Sequence, residues 1–159
     1  MFIGHFAPAM VAAAHKDAPR LPLLFIGAQL VDWAFFGLLL TGGEKMRVTP
    51  GMSKMNPMDL YHMPYTHSLV GSIAFAATFG ILISWLTRNR AAALIGFAVV
   101  LSHWFLDLLV HVPDLTITGT PPKLGFGLWN HPAIEMPLEL AITFGALWIC
   151  AKRLALPIP

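Results

Sequence analysis

Four long runs of mostly apolar residues divide this chain, and each is close to the roughly 20 residues that cross a bilayer as a helix. They cover residues 21–40, 68–86, 91–110 and 134–150. Only 11% of the residues are charged, against about 25% in soluble domains, which excludes an ordinary water-exposed surface. We therefore predict an all-α polytopic membrane protein, in which residues 1–159 form a single membrane-embedded domain with four transmembrane helices.

The N-terminal segment 1–14 is also apolar, but it is too short to cross a membrane. It lacks the basic start of a signal peptide, so we do not expect it to be cleaved. As a helix it would extend about 21 Å and would place His5 near the middle of the membrane when Lys16 lies at the surface. Two interpretations are open: a re-entrant half-helix that enters the bundle, or an amphipathic helix that lies on the membrane surface.

Basic residues mark one side of the predicted bundle. Cytoplasmic loops are enriched in Lys and Arg, so we predict that both ends of the bundle are cytoplasmic. The loops 41–64 and 113–130, rich in glycine and proline, would then face outward as ordered caps. The net charge of +2 is too small to indicate a nucleic-acid partner. The six basic residues on the cytoplasmic side are Lys16, Arg20, Arg88, Arg90, Lys152 and Arg153.

Carboxyl and imidazole side chains interrupt the apolar runs. An ionised carboxylate in hydrocarbon costs from about 2.5 to more than 10 kcal/mol, so such groups pair, bind metal or face water. Five of the seven histidines lie in or beside the apolar segments of the chain. The carboxylates are Asp32, Asp107, Glu135 and Glu139, and the histidines are His5, His67, His103, His111 and His131.

The spacing of these residues predicts polar stripes on two helices. His103, Asp107 and His111 are separated by four residues each, which places all three on one helical face. His131 and Glu135 repeat the same spacing on the last predicted helix, and Glu139 extends it. Each of the two helices therefore presents a polar stripe on an otherwise apolar cylinder.

The positions of these residues along their predicted helices place them at similar depths in the membrane. Asp32 is the twelfth residue of its run, and His103 is the thirteenth of the next run that starts on the same side. His67, His111 and His131 lie at the outer ends of their runs. We predict that the set converges in the outer half of a four-helix bundle. Mixed histidine and carboxylate ligands suit zinc, manganese or iron.

Each of these residues, taken alone, also has an ordinary structural explanation. Asp32 could hydrogen-bond to a neighbouring helix, His67 could cap the helix that follows it, and His111 could simply end a helix. Only several coincidences together would explain the whole set in this way, so we favour a metal site. Three residues are expected outside the ligand set: His15 and His62 on the surface, and Glu139 either as a residue that supports a ligand or as a packing partner.

Two short blocks resemble a known family. The sequences Tyr-Thr-His-Ser at 65–68 and Ser-His-Trp-Phe-Leu-Asp at 102–107 resemble the bacterial inner-membrane metal-dependent hydrolases. That family is similar in ligand order to the superfamily of zinc-dependent phospholipase C and single-strand nuclease. The chain departs from the family at 63–65, where Met-Pro-Tyr replaces a block that often contains arginine. The matching order here is His5, Asp32, His67, His103, Asp107, His111, His131 and Glu135, which spans nearly the whole chain.

The resemblance implies a membrane-bound hydrolase of the bacterial inner membrane that acts on a phosphoester of a lipid or another amphipathic substrate. Two or three divalent ions, above all zinc, would activate water, and Asp32 or Asp107 would be the catalytic base. The implied ligand sets share members: Asp32, His67, His103 and Asp107 for one ion; His111, His131 and Glu135 for a second; and His5 and Asp107, with the N-terminal amine of Met1, for a third.

Other function classes remain as alternatives. The chain could be a non-catalytic subunit with protein partners in a larger membrane complex, in which the His/Asp cluster is a structural metal site. A haem protein is disfavoured by the carboxylates beside the histidines, and a transporter by the lack of internal repeats. A serine hydrolase is disfavoured because no serine lies in a nucleophile-elbow sequence.

Overall fold

The computed structural model describes residues 3–154, and most of them are helical. Within residues 3–154, two short 3₁₀ turns, Ile3–His5 and Leu128–Asn130, accompany five α-helices and one two-stranded hairpin. In chain order the elements are α1 (Phe6–Ala13), α2 (Leu21–Thr41), β1 (Lys45–Val48), β2 (Met58–His62), α3 (Leu69–Thr87), α4 (Arg90–Val110) and α5 (Pro132–Leu154).

The helices α2 to α5 are each long and apolar enough to cross a membrane, which confirms the four predicted runs. Large apolar side chains cover their outward faces: Leu40, Trp85 and Leu94 are each at least 70% exposed. Water would disfavour so much exposed apolar surface, whereas lipid would not. The last helix is longer than its run, because it begins at Pro132 and continues through a basic last turn to Leu154.

Local residue choices explain where the helices begin and end. Gly42, with φ of +79°, ends α2 in the left-handed conformation that glycine adopts without steric cost. The side chain of Ser68 caps α3 by accepting from Gly71 N, and Asn89 caps α4 by accepting from Ala91 N. The tight connection between α3 and α4 makes these two helices an antiparallel pair.

Small and branched side chains form the core between α2, α3 and α4. Val31, Ala76, Ile83 and Val100 have almost no exposed surface, and the ring of Phe79 fills the space between them. This packing holds α2 against the antiparallel pair and thereby fixes the position of residues on its inward face.

The N-terminal helix α1 packs against α2, α4 and α5. Its Ala7, Ala9 and Met10 are buried, and Ala9 and Met10 join core clusters with residues of α2 and α5. The 3₁₀ turn that precedes α1 carries His5 into the interior, where only 2% of its surface is exposed.

The two outer loops have defined hydrogen-bonded structure. The first contains the antiparallel hairpin β1–β2, with Arg47 opposite Asp59, which the sequence analysis did not predict. The second is fixed by a bridge between Leu115 and Leu124 and by two hydrogen bonds from the start of α3, from Leu69 N to Thr116 O and from Val70 N to Ile117 O. These loops therefore hold the start of α3 against the end of α4.

Candidate metal centre

Six of the eight predicted ligands converge in one buried cluster. Helix α2 supplies one residue, α4 and its end supply three, the turn before α3 supplies one, and the N-terminal 3₁₀ turn supplies one. All are buried except the carboxylate of Asp32, which is 30% exposed. The six residues are His5, Asp32, His67, His103, Asp107 and His111.

Two overlapping sets of three residues, His5 with Asp32 and His103, and His67 with His103 and Asp107, have ligand atoms close enough together to share one ion. His103 Nε2 lies 3.3 Å from Asp32 Oδ1 and 3.0 Å from Asp107 Oδ2. His67 Nε2 lies 3.8 Å from Asp32 Oδ1 and 3.6 Å from Asp107 Oδ2. Ligand atoms about 2.0–2.2 Å from a tetrahedral zinc are separated by about 3.3–3.6 Å. The buried histidines and aspartates can therefore hold a metal ion.

The two oxygens of Asp107 face different partners. Oδ2 faces His67 and His103. Oδ1 lies 2.9 Å from His5 Nε2 and 3.4 Å from His111 Nε2. His5 also approaches the other aspartate, with Nδ1 at 3.6 Å from Asp32 Oδ2. Asp107 is therefore the central carboxylate of the cluster.

One hydrogen bond orients the ring of His103. Its Nδ1 lies 3.0 Å from the backbone oxygen of Ala28, and a carbonyl can only accept, so Nδ1 carries a hydrogen. The other nitrogen, Nε2, faces the carboxylate oxygens of Asp32 and Asp107. Nε2 is therefore the atom through which His103 would bind a metal ion.

The same logic applies to His67. Its Nδ1 is 2.8 Å from Thr66 Oγ1, and that hydroxyl donates its hydrogen to Glu44 Oε2 at 2.6 Å. The hydroxyl oxygen must therefore accept from His67 Nδ1–H, which leaves the lone pair on Nε2. Burial lowers the pKa of His67 to about 3, so the ring is neutral at pH 7. Metal-binding histidines characteristically donate their other ring N–H in this manner.

His111 is held by two carboxylates. Its Nδ1 lies 2.9 Å from Asp114 Oδ1, and its Nε2 faces Asp107. Burial opposes protonation of this ring, but Asp107 and Asp114 outweigh it and raise the pKa of His111 to about 9. Burial also raises the pKa of Asp114. At neutral pH His111 therefore carries a proton that a metal ion would have to displace.

The turn that carries His67 is closely packed. Ser72 Oγ donates to Thr66 O, and Trp104 Nε1 donates to His67 O at 3.2 Å. Gly71 lies so close beneath the turn that a Cβ atom there would be 1.6 Å from Tyr65 O. These contacts give His67 a defined position relative to α4.

The structure does not bring the remaining two predicted ligands to the cluster. His131 is exposed, and among the described residues it makes no polar side-chain contact with His111 or Asp107. Glu135 is fully buried on α5, one helical turn from Glu139, whose Oε1 accepts from Gly4 N at 2.8 Å. The grouping of His111 with His131 and Glu135 thus stays a prediction.

His15 and His62 are exposed, as expected. The amine of Met1, predicted to join a third ion, lies outside the described residues.

Sequence reasoning missed two acidic residues that support the cluster. Glu44 and Asp114 are both buried, and they hold His67 and His111 through Nδ1. The separation of three residues between His111 and Asp114 was a usable signal. No local spacing links Glu44 to Thr66, because they lie 22 residues apart on opposite sides of the hairpin.

A cavity of about 480 Å³ reaches the cluster. This volume is within the range of small-molecule sites. Five cluster residues contribute its polar part, and Gln29 adds an amide; the five are His5, Asp32, His67, Asp107 and His111. Its walls are otherwise apolar. Two of the wall residues, Trp33 and Phe36 of α2, are also more than half exposed on the surface of the protein. The apolar wall residues include Trp33, Phe35, Phe36, Met58, Leu60 and Trp129.

Comparisons with protein-family models, with curated proteins and with solved structures give no match for this chain.

Proposed function

We propose that this chain is a membrane-embedded, metal-dependent hydrolase of the inner-membrane family that its ligand order resembles. One observation carries the proposal: the Nε2 atoms of two buried histidines, His67 and His103, face the carboxylates of Asp32 and Asp107 at the spacing of metal ligands. The proposal includes a bacterial inner-membrane location with cytoplasmic ends, and a helix α1 that enters the membrane and brings His5 to the cluster.

The donor set suits zinc, and manganese or iron as well, because it combines imidazole nitrogens with carboxylate oxygens. Asp32, His67, His103 and Asp107 would hold the first ion. His5 and His111 lie at the other oxygen of Asp107 and are candidates for a further ion. Where bound, a divalent metal lowers the pKa of water towards about 7 and so supplies a nucleophile at neutral pH.

The two aspartates would play different parts. Asp32 is 30% exposed and lines the cavity, so its carboxylate can take up a proton from water there. Asp107 is 1% exposed and is surrounded by histidines. Its two oxygens would therefore position the Nε2 atoms of these rings. We therefore assign proton uptake to Asp32 and the central structural role to Asp107.

The shape of the cavity supports an amphipathic substrate. Its polar floor would take a phosphoester, while its aromatic wall would contact an apolar group. Trp33 and Phe36 belong to this wall and are also exposed on the outward face of α2. A lipid could therefore enter from the membrane with its headgroup at the cluster.

The first test is the metal content of the detergent-purified protein, measured by elemental mass spectrometry. We expect bound zinc or manganese in the wild type, loss of that metal in His103→Ala and Asp107→Ala, and retention in the exposed-histidine control His62→Ala. No metal in the wild type, or equal metal in all four proteins, would overturn the proposal.

The second test is hydrolysis of phospholipids in mixed micelles, followed by release of the phosphorylated headgroup. We expect turnover by the metal-loaded wild type and by His62→Ala, but not by Asp32→Asn. Bound metal without turnover of any phosphoester would contradict the hydrolase assignment and would favour an accessory subunit with a structural metal site.

A further inference from the structure

Glu44 is an acidic residue that is entirely buried, with 0% of its surface exposed. It follows the glycine turn at the end of α2 and immediately precedes β1. Its Oε1 accepts from the backbone N–H groups of Tyr65 and Thr66, at 2.9 and 2.8 Å. Its Oε2 accepts from the Thr66 hydroxyl at 2.6 Å. Three donors therefore converge on one carboxyl group, whose oxygens accept all three hydrogen bonds.

This arrangement sets the direction of every hydrogen bond between Glu44 and His67. The Thr66 hydroxyl has one hydrogen, which it donates in the hydrogen bond to Glu44. The same oxygen can then only accept from His67 Nδ1, at 2.8 Å. His67 must therefore keep its hydrogen on Nδ1 and its lone pair on Nε2, the atom that faces Asp32 and Asp107.

We propose that Glu44 is a positioning residue that, acting through Thr66, holds His67 in the tautomer and orientation needed to bind metal through Nε2. This inference rests on the proposed metal centre. It adds a residue outside the predicted ligand set and gives the loop between α2 and β1 a role at the cluster.

Two substitutions separate this role from simple packing. In Glu44→Gln the amide NH₂ can donate to Thr66 Oγ1, which turns the hydroxyl toward His67 Nδ1 and moves the ring hydrogen to Nε2. Thr66→Val keeps the shape of the side chain but removes the hydroxyl that orients the ring. Thr66→Ser keeps the hydroxyl and is the matched control.

The experiment measures the zinc dissociation constant of each purified protein by competition with a chelator. It also measures the His67 tautomer in metal-free protein from ¹⁵N shifts of labelled imidazole, assigned with a His67→Asn variant. We expect Glu44→Gln and Thr66→Val to bind zinc about 10–100-fold more weakly than wild type, the usual range for residues that orient metal ligands. Thr66→Ser should stay close to wild type, and only Glu44→Gln should move the hydrogen to Nε2.

The outcomes distinguish this inference from the proposed function. A wild type that binds no zinc overturns both. Zinc binding by wild type with an unchanged dissociation constant and tautomer in Glu44→Gln overturns this inference alone, because a purely structural role would alter stability without altering the tautomer. If Glu44→Gln does not fold, the difference between Thr66→Val and Thr66→Ser decides: equal zinc affinity in these two would overturn the inference.

Discussion

Replacing Gly71 by alanine should damage the fold and the metal centre together. Gly71 lies in the first turn of α3, directly beneath the turn that carries His67. An added Cβ atom would lie 1.6 Å from Tyr65 O and 2.7 Å from Tyr65 C. Both obstructing atoms are backbone, so no side-chain rotation can relieve the contact, and the whole turn must move away from α3.

The size of the effect follows from this geometry. The contact must open from 1.6 Å to about 3 Å before a real Cβ atom fits. Overpacking costs about 1–3 kcal/mol, and a rigid backbone contact places this case near 3. Alanine regains about 1 kcal/mol of helix propensity. We therefore expect a net loss of about 2 kcal/mol in the free energy of unfolding. A displacement of more than 1 Å also exceeds the roughly 0.2 Å tolerance of a metal–ligand distance.

The assay is unfolding in mixed micelles with increasing SDS, followed by circular dichroism, together with zinc affinity. Gly145→Ala is the control, because it is also a helical glycine in a membrane-length helix and a Cβ there meets nothing within 4 Å. We expect Gly145→Ala to be as stable as wild type or more so. A Gly71→Ala protein with the stability and zinc affinity of Gly145→Ala would refute the packing of this turn on α3.

Three smaller perturbations can be measured with the same unfolding assay. Trp104→Phe removes the indole donor to His67 O while keeping an aromatic ring, and should cost about 0.5–1.5 kcal/mol; a cost near zero would contradict this hydrogen bond. Ser68→Ala removes the cap of α3 and should cost about 1 kcal/mol, so an unchanged midpoint would argue against the capping role. Arg47→Ala breaks the pair with Asp59, but Arg47 is 68% exposed, so a loss above about 1 kcal/mol would be unexpected.

The helical fold was accessible from sequence because lipid imposes a simple rule. A helix that crosses a bilayer satisfies its own backbone, so length and apolar character are enough to locate it. The hairpin β1–β2 had no such signal. Its strands have four and five residues, and their pairing is fixed by tertiary contacts around Glu44 and Leu60 rather than by a clear alternation of apolar and polar residues.

The candidate site was predictable where helical periodicity controls it. His103, Asp107 and His111 were placed on one face by spacing alone, and the structure brings their side chains together. The same spacing on α5 gave no comparable result for His131, because that residue precedes the helix and is exposed. Periodicity describes neighbours within a helix, but it does not determine which way a flanking residue faces.

The hydrogen-bond partners of the histidines were beyond sequence reasoning, and they decide which ring nitrogen faces the carboxylates. For His103 the partner at Nδ1 is the backbone carbonyl of Ala28, which has no sequence signature. For His67 it is a hydroxyl whose direction depends on the distant Glu44. In both rings Nε2 is therefore the atom beside Asp32 and Asp107. Because burial also keeps His67 neutral, its Nε2 lone pair faces two carboxylates, and a bound cation would stabilise that arrangement.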